Sequence, residues 1–80
     1  MDFKNFIDAC ATELAPVILG FGDYRTHSEL CEIRGNVNPI AHEYLCTIVS
    51  KYGCTFAWAR MHLAPALEKL GVCRSISRYI

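Results

Sequence analysis

The chain has no apolar run long enough to cross a bilayer. The longest, Ala15–Phe21, is seven residues, against about 20 for a helical span. A secretory leader is missing too. Asp2, Asp8 and Glu13 punctuate the first fourteen residues, where a leader would carry a basic start and an unbroken apolar stretch. No Gly/Ser, Pro or Gln tract occurs, which excludes a low-complexity linker. Gly20 and Gly22 are only a fragment of a phosphate-cradling loop, with no Gly-Lys-Ser/Thr behind them. Close cysteine pairs are absent. Cys10, Cys31, Cys46, Cys54 and Cys73 are scattered and odd in number, unlike the even count of a disulfide framework. They read as small buried hydrophobes in a reducing compartment. These absences together describe a cytoplasmic protein that does not engage a membrane.

What remains is rich in apolar residues, 52% against 20% charged, well inside the folded regime. Eighty residues make one domain, 1–80, and Met1 suggests a complete gene product. A chain this short buries roughly 60–65% of its unfolded surface, so the core is small. Formal charge is zero but unevenly spread. Residues 1–49 hold seven acids and three bases, a balance of −4, and residues 50–80 hold five bases and one acid, +4. A charge dipole without net charge suits a specific partner better than a non-specific polyanion.

Asp2 is placed to cap a helix with apolar residues Phe3, Phe6, Ile7, Cys10, Leu14, Val17, Ile18 and Phe21. Pro16 lies inside it. Ala15 is a poor cap, so one kinked helix running to Gly20-Phe21-Gly22 is expected. Thr26-His27-Ser28-Glu29 fits a capping box. It opens a short helix with Leu30 and Ile33, closed at Gly35 in the left-handed conformation. A strand over residues 28–34 is the alternative. Asn38-Pro39 then predicts a fresh start for a helix carrying Ile40, Tyr44, Leu45, Ile48, Val49 and Tyr52, ended by Gly53. Thr55 caps a last helix with Phe56, Ala59, Leu63, Ala66, Leu67 and Leu70, interrupted by Pro65 and ended by Gly71. Leu-Ala-Pro occurs at both proline breaks, 14–16 and 63–65, too short a string for a repeat. Residues 72–80 alternate as a strand, with neither face purely apolar, which fits a sheet edge. The expected fold is mostly α: a small single domain of about four helices, two of them proline-kinked, with a short C-terminal strand.

For chemistry, His27/Cys31 and His42/Cys46 each fall four apart, on one face of a helix. Convergence of the two pairs would make a Cys₂His₂ zinc site. The compact Cys-x₂-Cys half is missing, and the simpler reading is thiols in the core and histidines outside. A Cys–His nucleophile, Cys54 with His62 or Cys46 with His42, would need a cleft and an oxyanion hole that so small a core has little room for. The expectation is no enzyme, no metal and no cofactor.

Thr26–Leu45, a short capped helix, Gly35, then Pro39–Leu45, resembles a helix-turn-helix over about a quarter of the chain. Asn36 replaces the usual apolar residue after the glycine, and the second helix offers His42 and Glu43 but no base. A second placement, Leu45–Leu63 with Gly53 as the turn, puts Thr55, Trp58, Arg60 and His62 on the recognition helix. There Leu67–Ser75 resembles the step into the wing of winged-helix regulators. That resemblance implies phosphate contacts from Arg60, Arg74 and Arg78 and a groove contact from His62. A wing takes two strands, and the tail supplies one.

The protein-partner reading needs fewer assumptions. Tyr52, Phe56, Trp58, Tyr79 and Arg60 sit in the basic part of the chain, and Trp, Tyr and Arg dominate binding energies. Trp58 falls roughly opposite the core-facing Phe56 and so reads as an exposed anchor, unless the first helix wraps over it. The tail offers an edge for strand addition to a partner or a second copy. The expected function is regulation or inhibition of a protein partner by direct contact, in the genre of phage or mobile-element accessory proteins. Candidate partner-binding residues are Trp58, Arg60, His62, Arg74, Arg78 and Tyr79. A DNA-binding regulator is the second reading, and an apolar-rich chain also suits a homodimer.

Overall fold

The computed structural model describes residues 2–80, in which four helices run in order: α1 (Phe3–Leu19), α2 (His27–Tyr52), α3 (Phe56–Lys69) and α4 (Arg74–Ser77). Side-chain caps set the three long helices. Asn5 N donates to Asp2 Oδ1 at 2.8 Å, Glu29 N to Thr26 Oγ1 at 3.1 Å and Trp58 N to Thr55 Oγ1 at 3.1 Å. Each satisfies an amide left unpaired at a helix start and contributes about 1 kcal/mol. Glu29 turns back, as a capping box requires, but accepts from Arg25 N at 3.0 Å, one residue before the cap. At Gly53 the chain leaves α2 with φ +65°, a conformation that costs a residue with a Cβ.

Short connections at 20–26 and 53–55 turn the chain back on itself twice. α1 and α3 therefore run parallel, and α2 runs antiparallel to both. At 26 residues α2 is about 39 Å long, which matches the 38 Å long axis of the molecule. Leu14, Ile18, Val37, Leu45, Ile48, Leu63 and Leu67 are fully buried and centre a single core. Both Leu-Ala-Pro strings act alike: Leu14, Ala15, Leu63 and Ala64 are buried, while Pro16 and Pro65 face outward. No helix among the described residues is long and apolar enough to cross a membrane.

Two expectations are corrected. α2 does not end at Gly35 and restart at Asn38-Pro39; it runs straight through, and Gly35 has no positive φ. Gly and Pro inside a helix cost about 1 and 3 kcal/mol. Against this stands one stripe, Leu30, Ile33, Val37, Ala41, Leu45 and Ile48, all buried at steps of three or four residues. Burying Ile33 and Val37 contributes about 1.5–3 kcal/mol each, so packing outweighs the local break signals. The first helix-turn-helix placement consequently has no turn at Gly35.

The tail is the second correction. Residues 74–77 form a helical turn rather than a strand, so there is neither a wing strand nor an edge for strand addition. The tail instead straps the weak middle of α2. Arg34 Nε donates to Ser75 O at 2.9 Å and its guanidinium lies 3.8 Å from the Tyr79 ring centroid. The Asn38 amide, oriented to donate, reaches Tyr79 O at 3.1 Å. Val72 and Ile76 pack into the core beneath.

Gly35→Ala distinguishes the two segmentations. A Cβ at Gly35 meets nothing within 4 Å, so inside a continuous helix the change should stabilise by about 0.5–1 kcal/mol in urea unfolding. A left-handed cap at that position would give a loss instead.

Candidate functional site

The Thr55 cap fixes the start of α3 and thereby the direction of each of its side chains. Ala59, Leu63 and Leu67 turn inward, and the opposite stripe holds Trp58, Met61, His62 and Pro65, all exposed. Trp58 is 48% exposed and Met61 55%, so α1 does not wrap over the indole. The ring is nonetheless held. His62, one turn on, packs against Trp58 with centroids 4.7 Å apart and edge-on against Phe3 of α1 at 5.2 Å. Phe3 meets Tyr52 of α2 at 5.1 Å, and the Tyr52 hydroxyl donates to Asp2 O at 3.1 Å. This aromatic series carries Trp58 on all three long helices.

Below it, α1 and α3 leave an open groove. One stretch, about 290 Å³, is lined by Phe3 and Ile7 from α1 and Met61, His62, Pro65 and Ala66 from α3. A second stretch of about 290 Å³ shares Lys4, Asp8, Ala66 and Lys69 with the first and continues to Leu70. Leu70 is 45% exposed at that far end.

The six sequence-predicted residues do not form one site. Trp58 and His62 adjoin. Arg60 lies about 200° round the helix from Trp58, with its guanidinium 5.9 Å from the Phe56 ring. Arg74 and Arg78 lie near the other end of α3, both paired with half-buried Glu68 at 3.4 and 3.2 Å. Tyr79 sits under Arg34. Met61, Phe3, Pro65 and Lys69 were not among the candidates. The exposure of Met61 follows from its place three residues after Trp58 on the same stripe. The part of Phe3 depends on α1 and α3 being neighbours, which no local pattern encodes.

The histidine–cysteine pairs cannot converge, because both lie on α2, fifteen residues or about 22 Å apart. His27 Nε2 stands 3.4 Å from Cys31 Sγ, while the His42 ring stacks on Phe56 at 5.4 Å. No cluster of three or more metal-ligating side chains occurs among the described residues. Nor are the thiols mainly core residues: Cys10 is buried, Cys54 half-buried, and Cys31, Cys46 and Cys73 are exposed. Cys31 and Cys46 fall outside the buried stripe of α2, Leu30, Ile33, Val37, Ala41, Leu45 and Ile48, and so turn outward. Burial pushes the Cys10 thiol up, Glu13 adds to this and Lys51 opposes it, so Cys10 stays protonated and a poor nucleophile.

Comparison with protein-family models, curated proteins and solved structures finds no match for this chain. Function is accordingly argued from the site itself.

Native-state alkylation with iodoacetamide should modify Cys31, Cys46 and Cys73 first and Cys10 last. Since the folded state holds the Cys10 proton more tightly than the unfolded chain, this thiol's contribution to stability is present below the ordinary thiol pKa. It should be lost as pH rises through the ordinary value toward the raised folded one. The check is urea unfolding of wild type against Cys10→Ala from pH 7 to 10, where the pH slope attributable to Cys10 should vanish in the variant.

Proposed function

We propose that this chain is a non-enzymatic binding protein that regulates or inhibits a protein partner by direct contact, centred on Trp58. The observation supporting this is the adjacent exposure of Trp58 and Met61 on the outer stripe of α3, with the indole packed on His62, which Phe3 backs in turn. A rigid, half-exposed aromatic beside a flexible thioether is what a binding hot spot requires: large contact area with little side-chain freedom left to lose. The His42 ring stacks on Phe56, and the His62 ring packs tilted on Trp58 and edge-on on Phe3, so in this reading both serve as packing surfaces. A cytoplasmic accessory protein of a phage or mobile element is the setting this reading suits.

DNA-binding regulation is the second reading, and the tight turn at Gly53 between α2 and α3 favours it. Charge opposes it. Arg74 and Arg78 already share Glu68, and the outer stripe of α3 carries Lys69 as its one base. Phosphate contacts dominate DNA affinity, and on α3 the exposed bases Arg60 and Lys69 lie about 180° apart round the helix, so they form no single basic stripe.

Trp58→Ala should leave the melting temperature within a few degrees of wild type, because the side chain is half exposed. Captured partner should fall at least tenfold, as expected for a hot spot, with Arg74→Ala and Arg78→Ala close to wild type. Anisotropy of a labelled mixed-sequence duplex should show no binding at physiological salt. Salt-sensitive duplex binding that is lost in the arginine variants would replace the protein reading with the DNA one.

A further inference from the structure

The groove beside Trp58 has the geometry of an unfinished helix seam. α1 and α3 are parallel neighbours, and each lines it with side chains at helical steps: Phe3 and Ile7 on one wall, Met61 and Pro65 on the other. From Trp58 to Leu70 the seam runs about 18 Å, with exposed large apolar side chains at both ends. Two helices that leave such a channel are completed by a third lying along it, as in the fourth position of a helical bundle. No open sheet edge is available among the described residues, since the tail is helical, so an extended peptide would find no backbone partners here.

The charges along the seam set the partner's polarity. Lys4 stands on the α1 wall and Lys69 on the α3 wall farther along, with Asp8 the one acid among the lining residues. The seam is thus apolar at its floor and predominantly cationic at its rims. We infer that the α1–α3 groove receives an amphipathic helix of about twelve residues, with large apolar side chains along one stripe and carboxylates flanking it toward Lys4 and Lys69. This rests on the Trp58 reading and extends it. Trp58 and Met61 would clasp one end of the partner helix and Leu70 the other.

The test is selection of a random 16-residue peptide display library against the full chain, followed by anisotropy and circular dichroism on the enriched peptides. The expected binders carry apolar residues at i, i+3, i+4 and i+7 with Asp or Glu beside them, and gain helicity on binding. Affinity should fall at least tenfold in Lys4→Glu/Lys69→Glu, and return when the peptide acids are changed to Lys. Met61→Glu should weaken the same peptides. Enriched peptides that need Trp58 but are basic, extended or indifferent to the lysine reversal would overturn the inference and leave the Trp58 face standing. Binders indifferent to Trp58→Ala, or no binder at all, would overturn both.

Discussion

Everything in this fold hangs on α2 staying unbroken across Gly35–Pro39. α2 is the one helix as long as the molecule, and α1 and α3 both lie against it. Were it to end at Gly35, the stripe from Leu30 to Ile48 would split in two and the core would lose its common wall. Two things hold it. One is the buried run Ile33, Val37 and Ala41, which spans the break signals without interruption. The other is the tail, which places Ser75 O and the Tyr79 ring against Arg34 and Tyr79 O against Asn38. A segment with poor helix propensity is thus kept helical by tertiary contacts, the usual source of helical stability in small domains.

In the same tail, two of the three arginines that the winged-helix resemblance would set on phosphates, Arg74 and Arg78, are already engaged. Arg34 is occupied by the tail, and Arg74 and Arg78 converge on Glu68. Two of the five bases of the C-terminal part thus share one carboxylate, at the end of α3 remote from Trp58. The stripe of α3 that carries Trp58 shows Met61, His62 and Pro65 to solvent, with Arg60 on another side of the helix, and this favours the protein-partner reading over the nucleic-acid one.

Local signals in the sequence were legible and distant ones were not. Asp2, Thr26 and Thr55 act as caps, and Gly53 and Gly71 as stops, because each effect is confined to a single turn. Trp58 could be placed outside because three buried positions of α3 define its wheel. Val37 went unread as the link between two apolar stripes, since Gly, Asn and Pro around it all argue locally for a loop. The tail's alternation imitates a strand, and only its contacts with Arg34 and Asn38, some forty residues earlier, make it a turn of helix. Residue type alone puts Cys31 and Cys46 in the core, while their place off the continuous buried stripe of α2 puts them outside. The groove was invisible for the same reason as the strap, because its walls come from residues 3–12 and 61–70.

That separation has a consequence for when the molecule becomes competent. During synthesis α1 emerges some fifty residues ahead of α3, its apolar stripe without a complete companion. The α1–α3 groove does not exist until both helices have been made. A ligand seated there would grip both ends of the sequence at once and so resist opening of the whole domain by mass action.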